Sequence, residues 1–105
     1  MGRLKPIHPG EILREEFMVP LHLNANKLAL ALHVPAPTVY DIVHEQRGIS
    51  PEMALRLGRF FRTMPDFWLN LQSEFDLRMV RKEKETTVKS QVRPLDESAW
   101  VSESS

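Results

Sequence analysis

The stretch "LALALHVPAPTVYDIV", residues 28–43, constrains the fold more than any other part of the chain. An apolar pattern with helical spacing runs to Leu32, two prolines interrupt it at Pro35 and Pro37, and it resumes at once. Proline lacks the N–H that a helix interior needs and drives the preceding residue out of the helical region. The segment therefore reads as two short helices joined by a turn of three or four residues. The first helix runs from Ala25 to about Leu32, with Asn24 as its N-cap and Leu28, Ala29 and Leu32 facing inward. The second begins at or beside Pro37, buries Val39, Ile42 and Val43, and leaves Thr38, Tyr40, Asp41 and His44 outside.

Two short helices with a tight turn inside a helical domain describe a helix-turn-helix, here residues 25–44. In that motif the first helix braces across a DNA backbone and the second enters the major groove. Ala29, Val34 and Val39 are small or apolar enough for a steep helix crossing. The turn position, which needs a positive φ, is His33, and histidine tolerates that conformation better than a branched residue. Spacing alone also admits an αα-corner in a helical bundle with no nucleic-acid role.

The flanking sequence supplies three more helices. "HPGEILREEFM" places Pro9 at a first helical position and buries Ile12, Leu13 and Phe17, with Pro20 ending the helix. Ser50-Pro51-Glu52 starts a fourth helix that buries Met53, Leu57, Phe60 and Phe61 and leaves Arg56, Arg59 and Arg62 outside. Pro65-Asp66 starts a fifth, with Phe67, Trp68, Leu71 and Phe75 on its apolar side. Residues 1–7 read as a loose arm. After Lys82 the pattern fails, and residues 83–105 read as a polar tail, disordered or docked on a partner, in which "TTVKSQV" is a candidate short strand. The expected fold is all-α: a compact five-helix domain over residues 1–82 followed by the tail.

Composition removes several function classes. The 105 residues contain no cysteine, which excludes disulfides and cysteine–zinc sites, and no apolar run has the length of a membrane span. The expected location is the cytoplasm. The formal net charge is zero, with a slightly basic domain and a slightly acidic tail, so indiscriminate nucleic-acid binding is not expected. His8, His22, His33 and His44 lack the i, i+4 spacing of a helical metal site, and Glu15 and Glu16 have no partner group for acid–base work. No nucleophile arrangement or phosphate loop is present, so neither an enzyme nor a cofactor is expected.

Candidate DNA-contacting residues follow from the motif. On the outward stripe, Thr38 and Tyr40 are placed to reach bases or phosphates, Asp41 to accept from a cytosine amino group, and His44 to touch phosphate. Pro37 opens the same helix. Asn26, Lys27, Gln46 and Arg47 lie at the motif ends, where phosphate contacts are usual. The alternative for each is an ordinary solvated surface. The aromatic residues concentrate between Phe60 and Phe75, mostly as core between the fourth and fifth helices. The fifth helix looks too apolar for one buried side, so Trp68, Leu71 and Phe75, flanked by Leu77 and Met79, are candidates for a dimer interface.

Over residues 6–82 the chain resembles the HigA antitoxins, the VapI-like branch of the Xre helix-turn-helix proteins. The resemblance rests on "HPGEILREEF" and "ALRLGRFFRTMPDFWLNLQSEFDLR" on either side of the motif. It implies a lambda-repressor-like all-α domain that dimerises, represses its own operon through a palindromic operator, and neutralises a RelE-like mRNA endonuclease toxin. Five residues depart from the family pattern: Ala25 stands for a frequent glutamine, Pro35 and Ala36 for a capping Ser or Thr, Asp41 for an arginine, and Glu45 for a glycine. A solitary transcriptional regulator of the same fold, or a protein-interaction module that has lost DNA binding, are the alternatives these departures leave open.

Overall fold

The computed structural model describes residues 5–101, and all regular structure among them is helical. Helix α1 starts as an α-helix over Pro9–Ile12 and continues as a π-helix over Leu13–Met18, closed by a bond from the Val19 N–H to the Arg14 carbonyl at 3.0 Å. Pro20 follows without an N–H to extend the ladder. Helices α2 (Ala25–Leu32) and α3 (Ala36–Val43) form the expected pair. Helix α4 spans Pro51–Phe61 and α5 spans Pro65–Gln91.

Capping chemistry sets where these helices begin. Asn24 accepts the Lys27 N–H at 2.8 Å, and Ser50 accepts the Met53 N–H at 3.2 Å. His8 caps α1 through Nδ1, which accepts the Gly10 N–H at 2.9 Å. Pro35 caps α3 with no side-chain bond, as its chemistry requires.

One repeated device sets where they end. After α1, α2, α3 and α4 the chain turns on a residue of positive φ: His22, His33, Glu45 and Arg62. In each case the next N–H bonds back five residues, from Leu23 to Met18, Val34 to Ala29, Gln46 to Asp41 and Thr63 to Gly58, at 2.8–3.1 Å. These are Schellman closures, in which glycine is the usual left-handed residue. None of the described glycines has a positive φ.

The core is a single cluster built from Leu13, Leu28, Leu32, Val39, Ile42, Met53, Leu57 and Trp68, with their buried neighbours. Trp68 has no exposed surface, and its indole N–H donates to the Thr63 hydroxyl at 2.9 Å. Phe17, Phe61 and Phe67 pack around it with ring centroids 5.0–6.3 Å from the indole. Helix α1 lies against α3 at Gly10, where a Cβ would overlap the Ile42 carbonyl, so only glycine permits that approach.

Two expectations are corrected here. The segment from residue 83 to Gln91 is helical, including all of "TTVKSQV" but its last residue, because α5 runs for 27 residues. No Pro or Gly interrupts the chain between Pro65 and Pro94, and the Glu- and Lys-rich sequence favours a helix, with Arg81 and Glu85 paired at i, i+4. A short sixth helix, α6 (Glu97–Val101), follows, its Ser98 N–H held by Asp96 at 3.1 Å. Residues 1–4 of the expected arm and 102–105 of the expected tail lie outside the described residues.

His8 gives the fold a pH dependence. It is buried, with its ring on the edge of Phe75 at 4.8 Å. Burial holds its pKa below the ordinary value of 6.5, with the Glu45 and Asp76 carboxylates pulling the other way. The folded chain therefore binds this proton less readily than the unfolded chain. The resulting stability is complete above about 6.5 and is lost as pH falls below it. Denaturant midpoints at about pH 7.5 and about pH 5.5 should reveal that loss, and His8→Asn, which keeps a capping oxygen, should remove the share due to His8.

Candidate nucleic-acid interface

The interface is built on the angle between α2 and α3. His33 adopts φ 58° and ψ 46°, with its N–H on the Leu30 carbonyl at 3.3 Å. The closure brings Val34 onto Ala29, and Val39 packs beneath with no exposed surface. Of the three small positions expected from the motif, Ala29 and Val39 are buried in the core and Val34 is partly buried against it.

Two arginines outside the motif hold its helices from behind. The Arg56 guanidinium, on α4, donates to the Leu32 carbonyl at 2.9 Å and pairs with Glu52 at 2.8 Å. The Arg14 guanidinium, on α1, donates to the Val43 carbonyl and pairs with Glu15 at 3.0 Å. Each places a cation at the C-terminal carbonyls of one motif helix, where the helix dipole is negative. Gln72 on α5 accepts the Ile49 N–H at 2.7 Å and so anchors the loop after α3. The sequence left the role of Arg56 open, and it singled out neither Arg14 nor Gln72. An arginine on a polar face carries no sign of which backbone carbonyl it will reach.

Two surface depressions take in several of the candidate contact residues. Asn26, Pro37 and Tyr40 line a shallow depression of ≈ 240 Å³ between the N-termini of α2 and α3. Thr38 and Arg47 line a neighbouring cleft of ≈ 420 Å³. Asn26, Lys27, Tyr40, His44, Gln46 and Arg47 are exposed, and Thr38 and Asp41 are half-buried. The outward residues of α3 are tied to one another. The Tyr40 and His44 rings stack with centroids 4.0 Å apart and planes 26° from parallel. His44 Nδ1 lies 2.8 Å from the Tyr40 carbonyl. A carbonyl only accepts, so Nδ1 carries the proton. Arg47 pairs with Asp41 at 3.4 Å, and Gln46 reaches the His44 carbonyl at 3.4 Å.

No protein-family model matches the chain. It is 50% identical over 85 residues to virulence-associated protein I of Dichelobacter nodosus, covering 81% of this chain and 79% of that protein. It is 32% identical over 91 residues to antitoxin HigA-1 of Vibrio cholerae, covering 87% and 85% of the two chains. The chain belongs to the HigA antitoxin family. Among solved structures it is similar to the Pseudomonas aeruginosa antitoxin HigA with the higBA promoter, at 51% identity and TM-score 0.85, covering 88% of this chain and 100% of that one. It is also similar to antitoxin GraA in complex with its operator, at 46% identity and TM-score 0.84, covering 91% and 97%.

Within this HigA-family chain, the residues expected at a dimer interface divide. Trp68 is corrected to a core residue: it has no surface to offer, because Thr63 and three phenylalanines enclose it. Leu71 and Phe75 are half-buried, with Phe75 against His8, while Leu77 and Met79 stay exposed on α5. Among the described residues no cluster of His, Asp or Glu has metal-binding geometry, and no helix is long and apolar enough to cross a membrane.

The turn makes a direct test. His33→Val should cost about 1–2 kcal/mol, because a branched residue is strained in the left-handed region. His33→Gly should stay within about 1 kcal/mol of the parent, relief of strain offsetting greater freedom in the unfolded chain. Urea denaturation of the two variants checks both values.

Proposed function

We propose that this chain is a DNA-binding antitoxin of a type II toxin–antitoxin system. It acts as a homodimer in the cytoplasm, represses its own operon through a palindromic operator, and neutralises a RelE-like mRNA endonuclease. The observation that carries the reading is the α2–His33–α3 corner with its exposed stripe, in a chain about half identical to a HigA solved with its promoter. Two recognition helices of a dimer would sit about 34 Å apart, one turn of the duplex. Contacts to phosphate would come from Asn26, Lys27, Gln46 and Arg47, and contacts to bases from α3. The role is one of binding, not catalysis.

A second reading rests on a specific observation. The outward face of α3 carries no Lys or Arg and presents Asp41, with Glu45 just beyond it. A chain whose reading helix is acidic suits a protein-interaction module that no longer binds DNA. A further relative, the uncharacterized HTH-type transcriptional regulator YbaQ of Escherichia coli, is 44% identical over 82 residues, which keeps a regulator without a toxin in view.

A mobility-shift titration on the chain's own upstream DNA at two salt concentrations separates these. Specific binding that weakens with salt, and that Thr38→Ala/Tyr40→Ala reduces about tenfold or more, is the expected result. Absence of specific binding at the lower salt would overturn the repressor reading. Co-expression with the RelE-like toxin from the neighbouring reading frame should restore growth, and failure to do so favours the solitary regulator.

A further inference from the structure

We infer that α3 reads a base amino group, and that the base read by Asp41 is a cytosine. The inference rests on the DNA-binding reading above and names the chemistry of that site. The outward side chains of α3 with polar atoms are Thr38, Tyr40, Asp41 and His44. None is the Arg or Lys that pairs with guanine O6 and N7, and none is the Asn or Gln that pairs with adenine N6 and N7. Asp41 offers a carboxylate, which only accepts. A neutral His44 offers the same chemistry. Its Nδ1 proton is given to the Tyr40 carbonyl at 2.8 Å, and stacking on the Tyr40 ring holds the imidazole there. In the neutral ring the remaining atom, Nε2, is a bare acceptor. Two acceptors three residues apart, Asp41 half-buried and His44 exposed, match donors in the groove.

In the major groove the donors are the cytosine N4 and adenine N6 amino groups. A carboxylate distinguishes them. Adenine places the N7 lone pair beside its amino group, where the second carboxylate oxygen would meet it. Cytosine carries no acceptor there, so Asp41 favours cytosine. Arg47 makes the approach feasible. It lies 3.4 Å from Asp41 and offsets the negative charge that would otherwise face the phosphates on either side of the groove.

The test is a selection from randomised duplex DNA at about pH 8 with the full chain and with Asp41→Asn, followed by titration of the selected site carrying single modified bases. The wild-type chain is expected to enrich a half-site containing a fixed C·G pair, and Asp41→Asn to move that position to A·T, because an amide pairs with adenine N6 and N7. A C·G pair alone does not say which base is read. N4-methylcytosine, which keeps pairing while filling the groove-side donor position, should weaken wild-type binding about tenfold or more, and 7-deazaguanine on the opposite strand should leave it unchanged. A selected pair that keeps its identity in Asp41→Asn, or binding that responds to 7-deazaguanine instead, overturns the proposal while leaving DNA binding intact. Enrichment of no sequence by the wild-type chain removes the DNA-binding reading and the proposal with it.

Discussion

Four helices of this domain stop on a left-handed residue, and the orientation of everything that follows depends on those stops. A Schellman closure turns the chain sharply, satisfies the last carbonyls of the helix, and draws the residue after the turn onto the helix it leaves. At His33 this sets the crossing of α2 and α3 and hence the presentation of the outward stripe. At Glu45 and Arg62 it directs the chain into α4 and α5, which bring Arg56 and Gln72 back against the motif. Side chains with a Cβ at all four turns carry strain that glycine would avoid. Each strained residue is accompanied by a closing backbone bond, such as that from the Val34 N–H to the Ala29 carbonyl at 3.1 Å.

Much of this was readable from residue order because the signals were local. Pro9, Pro37, Pro51 and Pro65 each sit in the first turn of a helix, and Asn24 and Ser50 cap theirs as their chemistry demands. His33 was identifiable as the turn residue from spacing alone. The failures were of two kinds. The second half of α5 has no apolar face to signal a helix, so its polarity resembled disorder, although its intrinsic propensity was favourable. Trp68 was assigned to an interface because hydrophobic pattern reports that a side chain is buried, not what buries it. The backbone contacts of Arg14, Arg56 and Gln72 span 23 to 29 residues in sequence and leave no local trace.

Charge is distributed unevenly between the frame and the reading face. The guanidinium groups of Arg14 and Arg56 bond helix carbonyls and pair with Glu15 and Glu52, where they stabilise geometry. Arg47 is partly neutralised by Asp41. A face organised in this way supplies little sequence-independent attraction. Its preference for one site over another must come from matched hydrogen bonds and shape.

Helix α5 extends well beyond the core that supports its beginning. Its 27 residues measure about 40 Å, and from residue 76 onward the side chains are exposed. Exposed side chains contribute little packing, so this half opens locally at a lower free-energy cost than the core. Opening confined to this half leaves the buried core and the α2–α3 corner in place. Substitutions in the second half of α5 therefore change how far that helix persists in solution without altering the packing that fixes the α2–α3 corner.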